Sequence, residues 1–469
     1  MPVIWSNYPA TSSTRIKIVH IVEIRAAINT ARAEAGLAPI TWVDPGITTS
    51  TPIRASHFVQ ARAAIQDLWT HYRQGFIQQW SAGSPPSPDR TVRATDVNDL
   101  RYWMNLTDPP TLAGATWVDN SRPWITRNKT GTDVWHVYMH PPAPPAGGSA
   151  DNFANVRDNI SMSRQSTPKQ NVLLRVDYAE GQSLPWNATT RGEYLGFLQQ
   201  ICADPIFREN LLGFIIGNEC NSQDENRQSG GTMNPDEWAR TYNGYGSGAS
   251  ATDNAFQVIR AALPDARVLV GAVAPYNPQA DGSPAFAIPV PWLNYFNQLC
   301  LRVTQRMTQA GLSAPDGFAL HAYGRVGDDG TANGGSQEPH RSVPSPVPYP
   351  ASAEYGFRVY RQWLAVMDGY PLLQLAPVWI TETNTFTTTH CDQSYPMNPP
   401  GWYFEAVKEI YDFNHDPFVS VQNRIKSVCW FVDRNFDGNW GLDAISGHTM
   451  GRLGAASNDF NSVLNHPDY

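Results

Sequence analysis

The sequence predicts an α/β fold: a (β/α)8 barrel of the TIM type over residues 113–469, preceded by a small all-α repeat domain over residues 1–108. Three observations lead there. Downstream of residue 113, short apolar runs alternate with amphipathic segments of helical length. Two of those runs, Gly213–Gly217 and Pro377–Thr381, lead directly into the polar pairs Asn218-Glu219 and Glu382-Thr383. Upstream, one helical pattern recurs three times.

Bulk properties set the limits. A chain of 469 residues with 41% apolar residues can bury a large core, and its length suits more than one domain. The net charge of −8 argues against nucleic acid or an anionic membrane as partner. Sixteen Trp and nineteen Tyr fit a carbohydrate partner, whose apolar ring faces stack on aromatic side chains, and fit equally an aromatic-rich core. Five scattered cysteines, none in a CxxC pair, argue against a disulfide scaffold. Cys220 and Cys391, each following a strand end of interest, form the one pairing worth testing. No apolar stretch is long enough to span a bilayer. Met1–Thr14 lacks a basic segment followed by an apolar one, so no signal peptide is visible. Location stays open: extracellular if a leader was removed or another export route serves, cytoplasmic otherwise.

Taken in order, the repeat comes first. Ile21, Ile24 and Ile28 lie at helical spacing, and the segments around Phe58 and Val97 align with them. The Arg of each unit (Arg25, Arg62, Arg101) marks the register, with spacings of 37 and 39 residues. Ser56 and Thr95 stand where an N-cap would belong. His20, His57 and Asp96 precede the apolar face. The change to Asp in the third unit favours a cap or surface contact over a metal site. Attachment to a surface or polymer is one role open to residues 1–108; packing against the next domain is another. Asp108-Pro109-Pro110 breaks the pattern and marks the boundary.

The expected strands are Ala115–Val118, Val134–His140, Val172–Tyr178, Phe214–Glu219, Val268–Ala274, Phe318–Tyr323, Val378–Glu382 and Ser427–Val432. Expected helices include Arg191–Ile201, Asn254–Leu263, Trp292–Ala310, Glu354–Met367 and Trp402–Phe413. The first crossover is irregular, because about fifteen residues between strands one and two leave little room for a helix. No glycine-rich fingerprint follows the first strand, so a dinucleotide-binding fold has no support.

In such barrels the chemistry sits at the C-terminal strand ends. Those ends carry Arg175, Asp177 and Glu180 on strand three, Asn218-Glu219 on strand four, and His321 and Tyr323 on strand six. Glu382 and Asn384 end strand seven, and Trp430 and Asp433 end strand eight. Two carboxylates across one barrel mouth are what glycoside hydrolysis needs, one as acid/base and the other as nucleophile.

This pattern resembles clan A of the glycoside hydrolases, retaining (β/α)8 enzymes with catalytic Glu residues on strands four and seven. The resemblance rests on Asn218-Glu219, on Glu382 about 160 residues later, on His321-Ala322-Tyr323 and on Trp430. It implies a retaining β-glycoside hydrolase acting on an oligo- or polysaccharide. Glu219 would be the acid/base, Glu382 the nucleophile and Asn218 the ligand of a sugar 2-hydroxyl. Tyr323 would orient Glu382, His321 would line the subsite and Trp430 would stack under the sugar. Many members carry an Arg at the end of strand two. Here that strand ends Met139-His140-Pro141, so Arg175 on strand three is expected to serve instead, with Asp177 paired to it or bound to a sugar hydroxyl.

The alternative is a non-catalytic carbohydrate-binding or adhesion protein on the same scaffold. A metal-dependent barrel hydrolase is disfavoured, since His140 and His321 are too few, and neither metal nor cofactor is expected. Asp433-Arg434-Asn435-Phe436-Asp437-Gly438 begins like a calcium loop, but its twelfth position is Ala444 and substrate-loop chemistry is expected there. Pro141–Ala150 and Gly324–Pro350 are expected to shape the cleft.

Overall fold

The structure, a computed structural model, describes residues 16–34, 37–48, 51–71, 92–105, 111–116, 129–141, 152–166, 170–248, 252–264, 266–277, 288–312, 314–325, 339, 350, 352–386, 401–416, 418–419, 424–431 and 450–466. The chain divides into two compact units, Met1–Pro110 and Thr111–Tyr469. Among the described residues no helix is long and apolar enough to cross a membrane.

The first unit contains helices α1 (Ile18–Glu34), α2 (Ala55–His71) and α3 (Ala94–Asn105). Ile21, Ile24 and Ile28, Phe58 and Ile65, and Val97, Leu100 and Met104 close one apolar core. Ser56 and Thr95 are not caps, since both lie inside their helices. The capping falls instead to the residue third in each helix. Its side chain accepts the backbone N–H just before the helix: His20 from Lys17 at 3.3 Å, His57 from Arg54 at 3.3 Å and Asp96 from Arg93 at 2.8 Å. These three side chains are fully buried, so the surface alternative is excluded. The repeated Arg residues are buried too, each with oxygen partners. Arg25 donates to the Val43 and Asp44 carbonyls, Arg62 faces Asp96 and Asp99, and Arg101 pairs with Glu23.

The second unit is a closed barrel of eight parallel strands: β1 (Ala113–Thr116), β2 (Thr132–His140), β3 (Asn171–Ala179), β4 (Gly213–Ile216), β5 (Arg267–Val270), β6 (Phe318–His321), β7 (Val378–Thr383) and β8 (Ile425–Trp430). Neighbours in sequence are neighbours in space around the ring, with β8 closing on β1. Helices α4 (Asn152–Gln165), α5 (Ala188–Ala203), α6 (Pro205–Asn210), α7 (Pro235–Asn243), α8 (Ala255–Ala262), α9 (Pro291–Gln309), α10 (Val359–Asp368), α11 (Trp402–His415) and α12 (Met450–Asn465) accompany it. Residues 117–128, the connection expected to be irregular, lie outside the described residues.

Each of the eight expected strands is present. Period-two alternation sorts their side chains onto two faces. Val137, Val176, Phe214, Val268, Leu320 and Ile380 pack outward in the large core shared with the helices. Val134, Leu173, Ile215, Leu269, Ala319, Trp379 and Cys429 point inward and form a separate apolar plug. Two residues further along β2, β3 and β6, the same inward face presents His136, Arg175 and His321, so the plug becomes a polar floor.

Candidate active site

The site stands on that floor. Strand β4 is shorter than expected and stops at Ile216. Gly217 (φ 87°) and Glu219 (φ 43°) both adopt left-handed backbone, which turns the chain off the strand. The Glu219 N–H then donates to the Ala272 carbonyl beyond β5 at 2.6 Å. Gly271 lets the two chains meet: a Cβ there would lie 1.6 Å from the Gly217 carbonyl oxygen. Trp238 of α7 closes the other side, donating from its indole to the Ile216 carbonyl at 3.1 Å.

Glu382 reaches the site through an irregularity. With Trp379 inward and Ile380 outward, strict alternation sends Glu382 outward. The pairing of β6 with β7 shifts, from Leu320 opposite Ile380 to His321 opposite Glu382, so Thr381 becomes an extra residue and Glu382 turns in.

Around these two carboxylates the hydrogen bonds form one connected set. The Tyr323 hydroxyl donates to Glu382 Oε2 at 2.6 Å, and Arg175 Nη1 donates to Glu382 Oε1 at 3.1 Å. Arg175 Nε donates to Asp177 Oδ2 at 2.8 Å. His321 lies between the two Glu residues, with Nδ1 at 2.6 Å from Glu219 Oε1 and Nε2 at 3.5 Å from Glu382 Oε1. One carboxylate oxygen from each Glu and a ring nitrogen fall within 4.8 Å of one another. These three groups are the described residues best placed to hold a metal. Yet each His321 nitrogen faces a different carboxylate, so the donors do not converge on one point as a ligand set does.

Burial shifts the titratable groups of the site. Burial pushes Glu219 up to about 7, with Arg175 pulling the other way and Asp224 adding to the rise. Burial, with Glu219 adding to it, also raises Glu382 above its ordinary value, and His321, Arg175 and the Tyr323 hydrogen bond pull the other way without cancelling the rise. Asp177 is pushed up to about 7 by burial against the pull of Arg175. Arg175 stays charged, because Asp177, Glu225 and Glu382 outweigh its desolvation. Burial drives His321 down to about 4, so it is neutral at physiological pH, and holds His136 well below its ordinary value.

Of the residues singled out in the sequence, Glu219, Glu382, His321, Tyr323, Arg175 and Asp177 come together directly. Asn218 is buried beside them, its N–H donating to Ser183 Oγ at 2.6 Å. Trp430 is fully buried at the end of β8, edge-on to Tyr403 with ring centres 5.7 Å apart. Cys202, Cys220, Cys300 and Cys429 are buried free thiols, and Cys391 lies outside the described residues. So do the calcium-like segment 433–444 and most of the cleft-shaping loops.

Three residues escaped the sequence reading. His136 and Tyr138 pair in register with Arg175 and Asp177. Their alternation with the outward-facing Trp135 and Val137 was the available signal. Glu225, 3.5 Å from Arg175 Nη2, sits in the loop after β4, where no periodicity could point to it.

No family model matches the chain, and no curated protein does. Solved structures similar to it include a β-glucosidase from Exiguobacterium marinum, at 11% identity over 71% of this chain and 83% of that one, with a TM-score of 0.38. An endo-β-1,4-mannanase from Thermotoga petrophila has 11% identity over 77% and 78%, with a TM-score of 0.40. A family 5 glycoside hydrolase lichenase from Caldicellulosiruptor sp. F32 has 12% identity over 90% and 100%, with a TM-score of 0.35. At such identities and scores they decide nothing about the reaction, which has to be read from the site itself.

Proposed function

We propose that the barrel is a retaining β-glycoside hydrolase acting on an oligo- or polysaccharide. The observation that carries this reading is the pair itself: Glu219 and Glu382 approach within 4.8 Å, and Glu382 accepts from Tyr323 on one carboxylate oxygen and from Arg175 on the other. Retaining enzymes hold their two carboxyl groups about 5–5.5 Å apart, whereas inverting ones leave room for a water.

The hydrogen bonds support the division of roles. Glu219, raised by burial, keeps its proton near neutrality and donates it to the glycosidic oxygen as the bond breaks. Glu382, ionised and held at both oxygens by Tyr323 and Arg175, attacks the anomeric carbon and forms a glycosyl ester. Water then attacks that ester, with Glu219 now accepting the proton. One His321 tautomer fits this state: Nδ1 accepts from protonated Glu219 while Nε2–H faces ionised Glu382.

The test is a screen of aryl β-glycosides and polysaccharides with wild type, Glu219→Ala and Glu382→Ala. Wild type should cleave at least one substrate. Each variant should lose about 10²–10⁴-fold in kcat/KM. Azide should rescue Glu382→Ala as the glycosyl azide of inverted configuration. Full activity in Glu382→Ala would remove the assignment. Glycan binding without cleavage by wild type would favour the adhesion reading.

A further inference from the structure

Arg175 is a three-way junction. Its Nε and Nη1 serve Asp177 and Glu382, and its Nη2 donates to Glu225 Oε2 at 3.5 Å. Asp177 and Glu382 are nearly closed to solvent, with side chains 1% and 7% exposed, whereas that of Glu225 is 26% exposed. Glu225 is the arm of the junction that reaches solvent.

Its position is built. Ser183 N–H donates to the Glu225 carbonyl at 2.8 Å, and Arg227 N–H to the Gly181 carbonyl at 2.8 Å. The Gln182 side-chain oxygen accepts from Gln228 and Ser229 N–H, both at 3.0 Å. Asn226 Nδ2 ties the loop back to the Cys220 and Ser222 carbonyls at 2.9 and 2.6 Å. A backbone held to the end of β3 on both sides delivers this carboxylate to Arg175.

A guanidinium is a rigid planar fork, so the groups on its outer nitrogens set its tilt. With Nη2 held, one N–H of Arg175 reaches Glu382. With Nη2 released, the fork can turn and place two N–H groups on Glu382, withdrawing electron density from the oxygen that must attack. We infer that Glu225 is a positioning residue, which holds the third arm of Arg175 and so limits how strongly Arg175 engages Glu382. This rests on Glu382 being the nucleophile.

The charged and titratable groups facing Glu225 are Arg175, Glu219, His321, Asp177, Tyr138 and Cys220, and Glu382 completes the cluster around Arg175. Removing the Glu225 charge therefore acts on both limbs of a pH–rate profile. Arg175 then favours ionised Glu382 more strongly, and Glu219 loses a negative neighbour. Both groups titrate at lower pH.

The test compares Glu225→Gln and Glu225→Asp with wild type. For Glu225→Gln, both limbs of kcat/KM should move to lower pH by roughly half a unit or more, with kcat reduced about tenfold. For Glu225→Asp, which keeps the charge, the limbs should stay where wild type has them. Unmoved limbs in Glu225→Gln, or equal movement in both variants, would overturn the inference. A second readout needs no substrate: carboxyl ¹³C NMR titration of Glu-labelled protein, with Glu382 assigned by its Gln variant. Glu382 should titrate lower in Glu225→Gln, and an unchanged Glu382 would overturn the inference even in an active enzyme. Conversely, an NMR shift in a protein that cleaves no glycoside would sustain the role of Glu225 while removing the hydrolase reading.

Discussion

Glu219 is held in a conformation that its own side chain disfavours. A non-glycine residue at φ 43° carries strain of about 1–3 kcal/mol, which only the surroundings can maintain. Here its N–H is tied to Ala272 at 2.6 Å and its carbonyl accepts from Ser222 at 2.7 Å. Glu382 is restrained differently, through donors on both carboxylate oxygens. Tyr323→Phe removes one of these. A hydrogen bond to a charged group contributes about 1.5–3 kcal/mol, so kcat/KM should fall roughly tenfold to a hundredfold. The hydroxyl favours the charged form of Glu382, so its loss should move the acid limb of the profile to higher pH. An acid limb that stays put, or moves down, would show that Tyr323 does not orient the nucleophile.

At the scale of elements, the decisive contact is the near collision of the β4 and β5 ends. Gly271 allows it, and a side chain there would force the Gly217 backbone away, two residues before Glu219. Gly271→Ala should destabilise by about 3 kcal/mol or more and abolish activity along with it. Gly192, exposed within α5 and with open space around it, provides the contrast. Gly192→Ala should be neutral or stabilising by up to about 1 kcal/mol, because a helix interior favours Ala. Urea denaturation of both variants checks this, and similar losses in the two would mean that the strand-end contact is not what constrains the site.

For the whole molecule, burying a charged site makes stability depend on pH in two opposed ways. Asp177 and Glu219 are raised to about 7 from 3.8 and 4.5, so the folded state keeps protons that the unfolded chain has released. Stability from these groups therefore declines as pH rises through that window, and the cost is complete above about 7. His321, lowered to about 4 from 6.5, acts in reverse, because the unfolded chain binds its proton first and stability rises with pH between those values. Glu219→Gln removes one buried charge. It should stabilise the protein at about pH 8 by roughly 1–3 kcal/mol, and by less at about pH 5. Thermal melts at the two pH values decide, and equal shifts at both would contradict the raised carboxyl.

By itself, the sequence determined the alternation of strands and helices, the eight barrel strands, the helical periodicity upstream and most of the candidate site. Apolar runs of strand length have few places to go except a buried parallel sheet, and polar residues at their C-terminal ends must then share one rim. What the tertiary structure decided is where local rules yield. Alternation along β7 would have turned Glu382 away, and only the shifted pairing with β6 brings it to His321. The expected strand through Glu219 gives way to a left-handed turn, because Gly271 and Trp238 confine the chain there. Glu225 was invisible because a loop carries no periodicity, and its place beside Arg175 depends on backbone hydrogen bonds to a distant strand end. Each of these results from long-range contact, which spacing along the chain does not encode.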